Sequence, residues 1–170
     1  MIAGMLSRRY TLRVGNTEGS QLSDNCRLAW LAGIIDGEGC FTIFRHHRGL
    51  DRAGQRYEHT SASITITNSC AALMDTARGI LDGLGVKYKY LMPRNSYTRP
   101  IWRIDVRNYA AILTLLDAVD PYLVGKAEQA ALTREFCERA AIRKGFADRE
   151  ERAAYGLRMS HLNKHGQLIL

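Results

Sequence analysis

An apolar stretch, Leu28 to Ile35, runs straight into Asp36-Gly37-Glu38-Gly39. Two carboxylates interleaved with glycines at a helix end offer clustered hard oxygen ligands, the donor chemistry that divalent cations such as Mg²⁺ require. The same residues also form turns well, so taken alone they leave a turn and a metal site both open. Upstream, Ala29, Gly33 and Gly37 recur every fourth residue, and one edge of the helix carries almost no side chain. Such a stripe lets a second helix approach backbone to backbone; ordinary packing within the chain is the alternative. Other metal-ligand patterns are weak. Cys26, Cys40, Cys70 and Cys137 are scattered without a C-x-x-C pair and read as reduced, mostly buried thiols. His161 and His165 lie one helical turn apart with no further ligand close in sequence, and read as part of a solvated tail.

The chain that carries these acids has 170 residues, 46% apolar, which is enough for one domain with a real core. A net charge of +7 points to a polyanionic partner, nucleic acid or an anionic membrane. No apolar run reaches the length of a membrane span, and the N-terminus lacks a continuous apolar signal segment. The expectation is a soluble, intracellular protein that binds nucleic acid. Nineteen arginines against five lysines fit a GC-rich coding sequence, favouring a bacterial, archaeal or phage origin over an organelle. Arginine also forks onto phosphate and guanine better than lysine, and the two causes are not separable here.

Residues 1–22 read as a basic N-terminal extension (Arg8, Arg9, Arg13). Ser23 or Asp24 caps a helix that ends in the acidic glycine turn. A strand follows over 40–46, with Phe41 and Ile43 on one face and Thr42, Phe44 and His46 on the other. A basic loop with Arg48 and Arg52 forms the hairpin turn. In the next strand Ala62, Ile64 and Ile66 face inward, while His59, Ser61, Ser63, Thr65 and Thr67 face outward. This hydroxyl-rich face suits either a hydrated partner or plain solvent. A helix from Asn68-Ser69 to about Leu84 is closed by Gly83 and Gly85. Lys87 to Tyr90 and Ile101 to Val106 form two more strands, the latter with Arg103 and Asp105 outside. Helices are expected over 109–119, ended by Asp120-Pro121, then 125–144, then 148–162.

The segment Leu31 to Gly39, LAGIIDGEG, closely resembles the LAGLIDADG signature of homing endonucleases and their maturase relatives. The resemblance covers roughly residues 24–145 and implies an α+β fold. The order is αββαββα, a saddle-shaped antiparallel sheet with additional C-terminal helices. It divides the chain into an extension (1–22), the endonuclease domain (23–145) and a helical tail (146–170) packed on that domain. Only one copy of the signature is present, which implies a homodimer joined through Ala29, Gly33 and Gly37.

The resemblance also implies roles. The last acid of the signature ligates the metal, here Glu38, with the backbone carbonyl of Gly37; the cofactor is Mg²⁺ or Mn²⁺. Family members more often carry aspartate at that position. Asp36 then fixes the turn or caps a neighbouring helix. Thr67-Asn68-Ser69 resembles the polar spot that orders the attacking water, which makes Asn68 catalytic, although an asparagine there also caps helices. Pro121 to Ala130 resembles the family's P-[YF]-L-x-x-K region, whose lysine, Lys126, contacts the water network or the scissile phosphate. A lysine in the first turn of a helix opposes the helix dipole, a local conflict that itself points to function. The arginine some homodimeric members carry early in the helix after the second strand is missing, since no basic residue precedes Arg78.

The implied activity is site-specific hydrolysis of double-stranded DNA across the minor groove, leaving short 3′ overhangs at a long pseudo-palindromic site. Thr42, Phe44, His46, Arg48, His59, Ser61, Ser63, Thr65, Arg103 and Asp105 would read major-groove base edges, and Lys87 and Lys89 would add base or phosphate contacts. The rivals are an intron RNA maturase or a non-cleaving DNA-binding protein on the same domain. A regulator with an appended helix-turn-helix is disfavoured by the short, charged tail.

Overall fold

The computed structural model describes residues 17–50, 54, 56–92, 100–142 and 145–165, with the side chains of all of these except 17–23, 47–50, 56–58 and 165. Helix α1 (Thr17–Glu38) leads into a hairpin of β1 (Gly39–Leu50) and β2 (Arg56–Asn68). Then come α2 (Ala71–Gly83), β3 (Lys89–Leu91), β4 (Trp102–Val106) and α3 (Tyr109–Val119). A single 3₁₀ turn over Asp120–Tyr122 precedes α4 (Ala127–Ala141) and α5 (Arg149–His165). The expected α+β order holds. The four strands form one antiparallel sheet in the order β1-β2-β4-β3.

Alternation builds the core. Phe41, Ile43, Ala62, Ile64, Ile66, Ile104 and Val106 share one sheet face and pack with Leu31, Ala32 and Ile35 of α1, Met74 and Leu81 of α2, and Leu115 and Leu116 of α3. Burying such side chains stabilises the fold by about 1.5–3 kcal/mol each. The opposite face carries Thr42, Phe44 and His46 of β1 across from Ser63, Ser61 and His59 of β2. In β4, Arg103 lies opposite Thr67 and Asp105 opposite Thr65.

Several boundaries differ from expectation. The first helix begins at Thr17, inside the expected extension, and continues through Asp36-Gly37-Glu38 instead of turning at Ile35. Tertiary contacts at its C-terminal carbonyls, described below, outweigh the poor helix propensity of Gly37. The strands of the first hairpin run longer than expected, taking in His47 to Leu50. Helix α2 starts at Ala71, because Asn68 Oδ1 accepts the Cys70 N–H at 2.7 Å and holds a turn ahead of the helix. It closes as expected, with Gly85 in the left-handed region at φ 68°. Three of the four cysteines, Cys26, Cys40 and Cys70, are exposed, against the expectation of mostly buried thiols; only Cys137 is buried. Burial pushes its thiol up to about 12.

The sheet's β1 side is covered by α5. Gly156 lets the helix come close: a Cβ there would stand 3.1 Å from the Ile43 carbonyl oxygen. Asn163 Nδ2 donates to the Phe41 carbonyl at 2.9 Å. Tyr155 and Met159 complete this contact within the core. A strand edge covered in this way cannot template pairing with another chain.

Candidate active site and nucleic-acid interface

The end of α1 is locked to the segment before α4. Asp36 Oδ2 accepts the Val124 N–H at 2.8 Å, and Oδ1 accepts the Lys126 N–H at 2.9 Å. The carboxylate thereby satisfies backbone donors where α4 begins, Lys126 being its N-cap residue. In return the Lys126 ammonium donates to the carbonyls of Ile35, at 3.2 Å, and of Asp36. This resolves the dipole conflict: Lys126 opposes the dipole of its own helix but sits at the C-terminal carbonyls of another, where a cation is favoured. Asp36 has the capping role expected of it.

Glu38, the last residue of α1, is exposed and makes no hydrogen bond or ion pair among the described residues. The chain leaves the helix so sharply at Gly39 that a Cβ there would lie 2.4 Å from the Ile35 carbonyl oxygen, so only glycine fits. Of two acids a residue apart, one is thus tied into the protein and one is available. Among the described residues no group of three or more His, Cys, Asp or Glu side chains could hold a metal ion. Within one chain the oxygens on offer are the Glu38 carboxylate and nearby backbone carbonyls such as that of Gly37. Asn68 is half-buried at the end of β2, its Oδ1 committed to the Cys70 N–H and its Nδ2 still a donor.

The small-residue edge of α1 is exposed. Ala29, Gly33 and Gly37 lie on the surface beside Cys26 and Trp30, and a Cβ at Gly33 or Gly37 would meet nothing within 4 Å. Packing within the described chain therefore does not account for the stripe.

The open sheet face bears the expected polar residues at unequal depth. Thr42, Phe44, His46, His59 and Ser61 are half-buried, while Lys87 and Lys89 are exposed. The side chain of Arg48 lies outside the described residues. Ser63, Thr65 and Asp105 correct the expectation of outward exposure: all three are buried. They sit on the interior strands β2 and β4, where longer neighbours cover them. Thr42 Oγ1 lies 2.9 Å from Ser63 Oγ, His46 Nε2 3.1 Å from Ser61 Oγ, and the Thr65 hydroxyl donates to Asp105 at 2.9 Å. Arg103 and Arg107 also donate to Asp105.

Arg107 was missed by the sequence reading. It continues the outward alternation of Arg103 and Asp105 by one more step, a period-2 signal that ends just beyond the strand. With Phe44, His46, His59, Ser61, Asn108 and Tyr109 it lines a hollow of about 380 Å³. The first turn of α2 has no basic residue, and Arg78 does not fill that role: it pairs with Asp75 at 3.2 Å and stands 4.4 Å over the Tyr90 ring. Among the described residues no helix is long and apolar enough to cross a membrane.

No protein-family model matches this sequence, and no curated protein sequence does. Solved structures do match the fold. The homing endonuclease I-CvuI, in complex with its target in the presence of Ca, superposes with a TM-score of 0.68 at 21% identity, over 84% of this chain and 85% of that one. The archaeal intron-encoded homing endonuclease I-Vdi141I, complexed with DNA, gives 0.64 at 13% identity, over 84% and 87%. The LAGLIDADG homing endonuclease I-GzeII, also with a DNA target, gives 0.52 at 14% identity, and the match spans 78% of this chain but 42% of that one. The helix that ends in Glu38, the four-stranded sheet beside it and the helices behind it together make the LAGLIDADG homing endonuclease fold.

Proposed function

We propose that this protein is a homodimeric, divalent-metal-dependent, site-specific DNA endonuclease. The observation that carries the reading is the division of labour at the end of α1. Asp36 and Lys126 fix the helix end, Gly39 turns the chain away, and Glu38 is left exposed and unengaged just before β1. The net charge of +7 suits a polyanionic substrate. Similar structures with bound DNA support the same partner.

One chain supplies one free carboxylate, which is too few for a metal centre. Two chains joined along Ala29, Gly33 and Gly37 would bring two copies of Glu38, each with the Gly37 carbonyl, to the dimer axis. That donor set is all oxygen and fits Mg²⁺ or Mn²⁺. When bound, such ions supply positive charge at the scissile phosphate and help ionise the attacking water. The chain's own groups would do the rest: Asn68 Nδ2 would orient the water, and Lys126, hydrogen-bonded to the α1 carbonyls, would contact the water network or the scissile phosphate. Two such sites cut both strands across the minor groove and leave short 3′ overhangs. Outward side chains of the sheet read the flanking major grooves.

Selection of cleaved duplexes from a randomised pool, with Mg²⁺ and with chelator, tests this. The expected result is a two-fold symmetric site cut only with metal. Glu38→Gln should lose cutting at least a hundredfold while still binding the site. A recovered site without symmetry would sink the dimer. If nothing is cut and a structured intron RNA binds tightly, the maturase reading replaces the nuclease.

A further inference from the structure

The Asp105 carboxylate is 1% exposed, so it cannot itself meet a base edge. It accepts three hydrogen bonds from the open-face side of the sheet. The Thr65 hydroxyl (2.9 Å) and Arg103 Nε (2.6 Å) share Oδ1, and an Arg107 terminal nitrogen takes Oδ2 at 3.0 Å. Both guanidinium side chains remain substantially exposed, at 42% and 57%. We infer that Asp105 is a positioning residue that holds Arg103 as a reader of guanine in the DNA half-site. The inference rests on the DNA-binding reading above and deepens it.

The geometry of the arginine carries the argument. A guanidinium has two donor edges, one through Nε and one formed by the two terminal nitrogens. At Arg103 the Nε edge is taken by Asp105, and the terminal nitrogens make no hydrogen bond among the described residues. The edge left over is the end-on fork that spans guanine O6 and N7. Holding the fork in place before binding also removes much of the entropy cost of ordering a long side chain.

Location favours a base over a phosphate. Arg103 projects from β4, which lies between β2 and β3 and not at the sheet edge. A phosphate contact needs charge in the right region, whereas a base contact needs a donor pair in one direction. A buried carboxylate is costly unless it is well paired, and here its partners are two arginines of the open face and one hydroxyl.

Selection of bound duplexes from a randomised pool, for wild type, Arg103→Ala and Asp105→Asn, reads the base preference at every position. Wild type should prefer guanine at one position of each half-site. Arg103→Ala should lower that preference by roughly tenfold or more, within the range of a bidentate base contact. Asp105→Asn should lower it several-fold at the same position, by a larger factor than it lowers affinity for random duplex. If Arg103→Ala instead weakens all sequences alike and the guanine preference survives, Arg103 touches phosphate and the assignment is wrong. An unchanged preference in Asp105→Asn would reduce Asp105 to a fold-stabilising residue. If Asp105→Asn fails to fold, Thr65→Val, which removes a donor but no charge, should lower the same preference about twofold; no change would again overturn the inference. A wild-type protein that binds duplex without any sequence preference would overturn the site-specific reading beneath it, and one that binds no duplex would overturn the DNA-binding reading itself.

Discussion

The end of α1 and the open face of the sheet each place an aspartate among donors, but the donors differ in kind. Asp36 is held by two backbone N–H groups, which are fixed by the fold. Asp105 is held by a hydroxyl and two arginine side chains, which substitution can alter one at a time. The first arrangement suits a position that must not change, the strut under Glu38. The second suits a surface whose recognition can be retuned while the sheet stays intact. In the proposed endonuclease, the chemistry would rest on backbone contacts and the specificity on side chains.

That contrast can be broken from either end. The largest effect should come from Asp36→Ala, which removes the carboxylate that two N–H groups donate to and costs about 1–2 kcal/mol, roughly 2–8 °C in Tm by thermal unfolding. A change as small as that of an ordinary surface substitution would mean that the junction is not held by this carboxylate. Lys126→Met sharpens the comparison, because its ammonium both caps α1 and has a proposed catalytic role. Loss of a cation at a helix C-terminus should cost about 0.3–1 kcal/mol of stability. Cleavage of the selected duplex should fall far more, at least tenfold, and a drop no larger than the loss of folded protein would leave Lys126 a clamp only.

The smallest effect should be at Glu151, a half-buried carboxylate away from both regions. The Ala147 N–H and then the Arg139 guanidinium, 2.5 Å away, hold its pKa below the ordinary carboxylate value. A lowered folded-state pKa stabilises above the ordinary value and loses that stabilisation as pH falls through the lowered one. The Tm gap between wild type and Glu151→Gln should therefore be small at neutral pH and close as the pH falls through the lowered pKa. A gap that widened with acid would contradict the assignment.

Much of the fold was legible in particular residues. The alternation of Phe41 and Ile43 against Thr42 and Phe44 placed the two faces of β1, and that of Ala62, Ile64 and Ile66 placed those of β2. Asp120-Pro121 ends α3 where expected. The candidate site was legible in part. Glu38, Asn68 and Lys126 were named from the signature and its companion regions, whereas Arg107 went unseen just past the end of a strand pattern. The start of α1 and the length of the first hairpin were misjudged, because neither carries a local stop signal that outweighs tertiary packing.

The sequence by itself determined which residues share a face, because side-chain direction follows from local backbone geometry with a period of two or 3.6. It also determined the charge of the molecule and the two acids at the end of α1. Depth and partnership were decided only by the tertiary structure. Whether Asp105 lies on the surface or beneath it depends on Thr65, forty residues away, and on the arginines flanking it. Asp36 and Lys126 find each other across 90 residues. No local pattern encodes such meetings, because hydrogen bonds and burial are set by whichever element arrives next to a residue in space.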